Sequence, residues 1–214
     1  MASVTCARDQ ITPIGNRILG NDTVSDAKRV NRSNPNRRWL LQIVTSQRQG
    51  KSCLPFCLGL QPLAFIHLLQ TELGQASAVN TYICCQGENR QALENGQLRQ
   101  ELLQLRYDEW QAVRNLLLSS CREQDHSAQR MADVVAAGCL GGDHLWRDLG
   151  LATRSELTDL LQYNFPSLAA RNTDDMKWKK FFYKQLCEQQ GGYVCRAPSC
   201  DQCAAYDDCF GEEV

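Results

Sequence analysis

GQLRQELLQLRYDEWQAVRNLLLSSCRE, residues 96–123, places Leu98, Leu102, Leu105, Trp110, Val113, Leu116 and Leu117 at successive intervals of four, three, five, three, three and one. That spacing draws an apolar stripe along an α-helix, and no period-two alternation competes with it, so one or two amphipathic helices cover the stretch. The neighbouring sequence continues in the same way. SAQRMADVVAAGCL follows with Ser127 as a candidate cap and Gly141-Gly142 as a stop. In ATRSELTDLLQYNFP, Thr153 and Glu156 have capping-box spacing and Pro166 ends the helix they begin. Upstream, RRWLLQIVTSQR reads as a helix, as does QPLAFIHLLQTELG, with Pro62 in its first turn and Phe65, Leu68, Leu69 and Leu73 at helical spacing. A last helix runs through DDMKWKKFFYKQLCEQQ, its positive end facing Asp174 and Asp175 and its exit at Gly191-Gly192. VNTYICC is the one stretch of strand composition; with no second strand to pair with, it reads as loop or buried turn. The expected fold is all-α, a single helical domain closed by a C-terminal cysteine-rich, cluster-binding loop.

Composition bounds what this domain does. The chain has 214 residues, enough to bury a core without covalent staples. Residues 1–37 are polar, rich in Asn, Ser and Arg, and read as a disordered arm; residues 38–214 form the expected domain. The N-terminal sequence contains no apolar run long enough for a signal peptide or a membrane span, so a soluble, cytoplasmic protein is expected. In that compartment thiols stay reduced, and the twelve cysteines point to metal or catalysis more than to disulfides. The formal net charge of −1 conceals an asymmetry: residues 1–38 carry seven Lys or Arg against three Asp. Residues 195–213, by contrast, carry Asp201, Asp207, Asp208, Glu212 and Glu213 against Arg196 alone. An acidic segment of this kind repels nucleic acid, and neither a nucleic-acid nor a membrane partner is expected.

Cys195, Cys200, Cys203 and Cys209, written C-x4-C-x2-C-x5-C, concentrate soft donors near the end of the chain. A regular helix cannot aim four side chains at one point, and Gly191-Gly192 and Pro198 suit a loop that wraps an inorganic centre. Zinc ribbons pair two C-x-x-C knuckles, and only Cys200 to Cys203 supplies one. Iron–sulfur ligation tolerates uneven gaps, so spacing favours it and leaves zinc open. Four reduced cysteines without metal is the poorest account, because the neighbours are Asp, Gln, Ser and Arg instead of the apolar residues that surround buried thiols. Elsewhere, Cys53, Cys57 and His67 allow a second metal site, but cysteine among apolar residues is ordinarily core. The same holds for Cys84, Cys85 and Cys187. Lys177, Lys180 and Lys184 form a basic face, read first as solvated surface and second as a docking site for an acidic partner. No nucleophile–base pair or phosphate-binding glycine loop is evident, and the protein is not expected to be an enzyme.

Four blocks in order, HLWRDLGL (144–151), FPSLAARNT (165–173), MKWKKFFYKQLCE (176–188) and CRAPSCDQCAAYDDCFGEE (195–213), together resemble the NifQ family of nitrogen fixation. The similarity is dense over residues 101–213 and looser over 39–73, where CLPFCLGLQPLAFIHLL resembles the family's opening helix region. The resemblance implies a molybdenum–iron–sulfur cluster carrier that donates molybdenum for the nitrogenase iron–molybdenum cofactor, with Cys195, Cys200, Cys203 and Cys209 as cluster ligands. The implied partners are a molybdenum source, the nitrogenase iron protein and the cofactor scaffold complex. Within the first block, His144 is the best nitrogen candidate for a molybdenum ligand, molybdenum in a sulfur cubane seeking more ligands than three sulfides and one cysteine provide. The competing function is a zinc-stabilised interaction module, in which the cysteines contribute about 10–16 kcal/mol of folding energy.

Overall fold

The computed structural model describes residues 34–73, 90–121, 125–189, 191, 203 and 205–213. Among them are ten helices and no strand: α1 Asn36–Arg48, α2 Pro62–Leu73, α3 Arg90–Leu105, α4 Tyr107–Leu118, α5 His126–Cys139, α6 Leu145–Leu149, α7 Arg154–Asn164, α8 Pro166–Ala169, α9 Trp178–Gln189 and α10 Tyr206–Phe210. The all-α expectation holds. VNTYICC lies outside the described residues.

The centre of the molecule is α5, where Met131, Ala132, Val134, Val135, Ala136, Ala137 and Cys139 are all buried. A helix apolar on nearly every face must be surrounded, and α5 packs against α1, α4 and α6. Its N-cap is Asp125, not Ser127: the Asp125 carboxylate accepts from the Ser127 and Ala128 amides, and an Asp upstream satisfies the same orphan donors that a Ser would. The expected capping box at α7 is present, with Thr153 Oγ1 accepting from the Glu156 amide at 3.2 Å. Glu156 reaches back one residue further than expected, to the Ala152 amide at 3.0 Å.

The 96–123 stretch forms two helices, broken at Arg106, whose φ of −112° and ψ of 31° are not helical. The break resets the phase. Val113, Leu116 and Leu117 enter the core as expected, but Leu98 and Leu105 are 54% and 82% exposed, and Leu103 is buried in their place. Arg106 stabilises the break by donating to the Leu140 carbonyl at 2.9 Å and to both oxygens of Glu109 at 2.6 and 2.7 Å. Tyr183 on α9 donates its hydroxyl to the same Glu109, tying α9 to α4. The Arg106 guanidinium holds the Glu109 carboxyl below its usual range against the opposing effect of burial.

Helix α1 begins at Asn36, two residues ahead of the domain boundary read from the sequence. Asn36 is buried and forms a reciprocal amide pair with Asn164 on α7: each side chain donates to the other, at 2.7 and 2.8 Å. Asn36 also donates to Ser127 Oγ at 3.0 Å, so the first turn of α1 is fastened to both α7 and α5. The last helix starts at Trp178 and not at Asp174, because Asp175 adopts a left-handed φ of 54° that ends any continuous helix there. Trp178, Phe181 and Phe182 then pack as one aromatic group with centroids 5.8 to 6.0 Å apart, the indole of Trp178 donating to Thr158 Oγ1 at 3.1 Å.

Candidate functional site

The chain terminus folds back on the start of α9. Cys203 and Cys209 are half-buried, one preceding α10 and one within it; Cys195 and Cys200 lie outside the described residues. The Cys203 carbonyl accepts from the Tyr206 amide at 3.1 Å, and Cys209 and Phe210 pack against the core. Lys177, just before α9, makes two main-chain attachments to this segment. Its amide donates to the Cys209 carbonyl at 2.8 Å and its ammonium to the Asp207 carbonyl at 2.6 Å. The Asp207 carbonyl, which also accepts from the Gly211 amide at 3.0 Å, takes the ammonium on its second lone pair, at the end of a helix where a cation is favoured. Lys177 therefore serves its own chain end, and of the basic face read from the sequence only Lys180 and Lys184 remain for other contacts.

A second fastening lies at Glu213, whose side chain is only 6% exposed. One oxygen stands 3.5 Å from Arg154 Nε and the other 3.7 Å from His144 Nδ1. At these separations the contacts are electrostatic, and Arg154 Nε has no hydrogen bond among the described residues. The guanidinium also holds Asp175, at 2.5 Å to its carboxylate and 2.9 Å to its carbonyl. Arg154 thus ties the terminus, α7 and the left-handed turn before α9 together.

His144 caps α6 with extended backbone, φ −60° and ψ 141°, and does not cap it with its side chain. Its backbone is held from beneath. The buried Asp148 carboxylate accepts from the Asp143 amide at 3.0 Å and is paired with the Lys179 ammonium of α9, while Asp143 accepts from the His144 amide at 2.6 Å. Lys179 donates also to the Gly141 carbonyl at 2.9 Å. Gly141 must lack a side chain, because a Cβ there would collide with Cys53 Sγ and the Asp148 carboxylate. The polar network so runs from Lys179 through Asp148 and Asp143 to His144, then across Glu213 to Arg154, and it brings His144 against Glu213, which follows Cys209 by four residues.

The remaining candidates separate from this centre. Burial, followed by the nearby Asp148 charge, pushes the Cys53 thiol up to about 12, and burial pushes Cys139 up to about 12 as well. A thiol held protonated is a poor metal ligand, which fits the core role. His67 lies with Nδ1 3.2 Å from the Arg130 guanidinium. Among the described residues no group of three or more His, Cys, Asp or Glu is placed to hold a metal. Cys6, Cys84 and Cys85 fall outside the described residues.

Sequence reading did not single out Arg154, Asp148 or Lys179, and it counted Glu213 only as one of five carboxylates in an acidic segment. Arg154 sits inside a capping box and Lys179 inside a basic run, so the local pattern of each had a sufficient explanation already. The one available signal was that Asp148 and Lys179 both fall within blocks resembling the NifQ family.

The NifQ family profile matches residues 39–211. The chain is 53% identical over 183 residues to Protein NifQ of Azotobacter vinelandii, covering 84% of this chain and 90% of that protein. It is 38% identical over 173 residues to Protein NifQ of Klebsiella pneumoniae, covering 80% and 96% respectively. A NifQ homolog of Sinorhizobium fredii is 50% identical over 99 residues, 46% of this chain and 43% of that protein. No solved structure matches the chain, and among the described residues no helix is long and apolar enough to cross a membrane. By extent and identity of match, the chain belongs to the NifQ family of nitrogen-fixation proteins.

Proposed function

We propose that this protein is a non-catalytic, cytoplasmic carrier whose cargo is a molybdenum–iron–sulfur cluster, held by Cys195, Cys200, Cys203 and Cys209 and donated for assembly of the nitrogenase iron–molybdenum cofactor. The observation that carries the reading is the double fastening of the Cys203–Glu213 segment, by Lys177 and by the Arg154–Glu213–His144 group, in a chain of this family. A segment needed only as a polar tail has no reason to bury a carboxylate between two cationic or titratable side chains.

The donor set suits the cargo. Molybdenum in water is an oxyanion, its destination is rich in sulfide, and soft thiolates are the protein ligands that bridge those two environments. Two sulfur donors do not complete such a centre, and Cys195 and Cys200 bring the number to four. Lys177 fixes the backbone at Cys209, while the exposed Asp207 and Asp208 keep the surrounding surface acidic. His144 is the nitrogen donor proposed for molybdenum, held at the terminus by Asp148, Asp143 and Glu213. The proposed acceptors are the nitrogenase iron protein and the cofactor scaffold complex, with the molybdenum source acting upstream.

The test is metal and sulfide analysis of protein purified without oxygen. Ala at any of Cys195, Cys200, Cys203 or Cys209 is expected to lower iron and sulfide sharply, and Cys6→Ala to leave them unchanged. His144→Ala is expected to keep iron and lose molybdenum. Full iron in all four cysteine variants, or a colourless wild type holding one zinc, overturns the reading; the zinc outcome establishes the interaction module instead.

A further inference from the structure

An open cleft of about 700 Å³ lies on the face of the molecule formed by the end of α1, the loop after it, α3 and α6. Its wall carries five charged side chains, Lys51, Arg99, Asp143, Arg147 and Asp148. The two carboxylates are already compensated. Asp148 is paired with Lys179, and Asp143 with Arg147 at 3.8 Å, Arg147 itself lying 4.8 Å above the Trp146 ring. That leaves Lys51 and Arg99, whose side chains make no ion pair or hydrogen bond among the described residues. Two uncompensated cations from different elements facing one cavity repel each other unless an anion lies between them. The rest of the wall does not obstruct one: at Gly142 nothing stands within 4 Å of where a Cβ would be. The Ser52 hydroxyl oxygen accepts from the Leu54 amide at 3.4 Å, and its own hydrogen remains to be donated.

We propose that this cleft binds a tetrahedral oxyanion between Lys51 and Arg99, with Arg147 and the Ser52 hydroxyl as further donors. A dianion that presents oxygens in several directions matches donors arriving from separate walls better than a planar carboxylate, whose oxygens face one way. The cleft is wide and open, which suits an ion that must also leave. Helix α6 carries Trp146, Arg147 and Asp148 on this wall and is preceded by His144, whose Nδ1 stands 3.7 Å from Glu213, so one short helix links the cleft to the chain end. That the ion is molybdate rests on the function proposed above; that the cleft takes an oxyanion does not.

The experiment is equilibrium binding of molybdate, tungstate, sulfate and phosphate to the full chain at low ionic strength, followed by calorimetry and by the change in tryptophan fluorescence that is lost in Trp146→Phe. Lys51→Gln and Arg99→Gln are each expected to weaken binding about tenfold, the factor one charge-assisted contact carries, and added salt to weaken it further. Arg171→Gln, an exposed cation away from the cleft, is expected to change nothing. Circular dichroism and melting temperature identify any variant that fails to fold. Preference for molybdate and tungstate names a metal source, and equal binding of sulfate and phosphate names a general oxyanion site. Absence of saturable binding by all four ions, affinity unchanged in the Lys51/Arg99 double variant, or binding lost with the four motif cysteines in its place, overturns the proposal. Iron and sulfide measured on the same preparations separate the two readings: an iron-free wild type that still binds at Lys51 and Arg99 refutes the carrier function and leaves this site standing.

Discussion

Glu213→Gln removes one charge and almost no volume from the fastening that holds the chain end. At 3.5 Å from Arg154 Nε, and with an effective dielectric of about 20, the gross attraction is about 5 kcal/mol. Two terms reduce it. Burying the carboxylate forfeits part of its hydration, and Arg154 keeps Asp175 at 2.5 Å, so no orphaned cation is left behind. A net loss of about 1–2 kcal/mol remains, which raises the opening equilibrium of the segment about five- to thirtyfold. The opening is local, because the core packing of α5 does not depend on residues 205–213. Native-state hydrogen exchange reads it directly. The amides of Lys177, Asp208 and Gly211, bonded to the Cys209, Ala205 and Asp207 carbonyls at 2.8, 3.1 and 3.0 Å, should exchange faster by that factor while the α5 amides do not change. In Arg154→Gln, Glu213 keeps its charge with no guanidinium beside it, and the double variant should then be more protected than the sum of the singles predicts. Unchanged exchange at Lys177 in Glu213→Gln, or an equal acceleration through α5, would show that the carboxylate does not hold the terminus.

The buried amide pair makes the next prediction: Asn36→Ala strands both an acceptor and a donor of Asn164 and should cost about 2–4 kcal/mol, whereas Leu at both positions should recover most of it, as a denaturant titration would show. A chain beginning at Arg38 should lose the same stability, and one beginning at Asn34 should not; equal midpoints refute the role assigned to Asn36. Stability should also fall in alkali. Cys53 and Cys139 stay protonated to about 12 when folded and return to an ordinary value near 9.0 when unfolded, so above pH 9 the unfolded chain sheds protons that the folded one keeps. Each thiol then removes about 1.4 kcal/mol per pH unit, and Cys139→Ala should flatten the decline of melting temperature between pH 9 and 11. A parallel decline in wild type and variant contradicts this.

Helices declare themselves through neighbours three and four residues away, and the backbone bonds they need close within one turn, so α2, α5, α7 and the apolar face of α4 were legible in the sequence. So was the capping box at Thr153, which depends only on residues three apart. The phase of α3 was not, because it turns on Arg106 reaching the Leu140 carbonyl, a partner 34 residues away. Nor was the start of α1: a polar residue next to Pro35 reads as linker until Asn164, 128 residues distant, is found bonded to it.

The sequence by itself determined the fold class and the concentration of soft sulfur donors near residues 195–209, since helical periodicity and the softness of sulfur are properties of residue type and short spacing. Only the tertiary structure decided which charges are committed. It buried Glu213 between Arg154 and His144, turned Lys177 onto the Asp207 and Cys209 carbonyls, neutralised Asp148 with Lys179, and left Lys51 and Arg99 uncompensated on an open cleft. A charge's partner lies wherever the fold brings an opposite charge within a few ångströms, and that distance is carried by no local pattern in the chain.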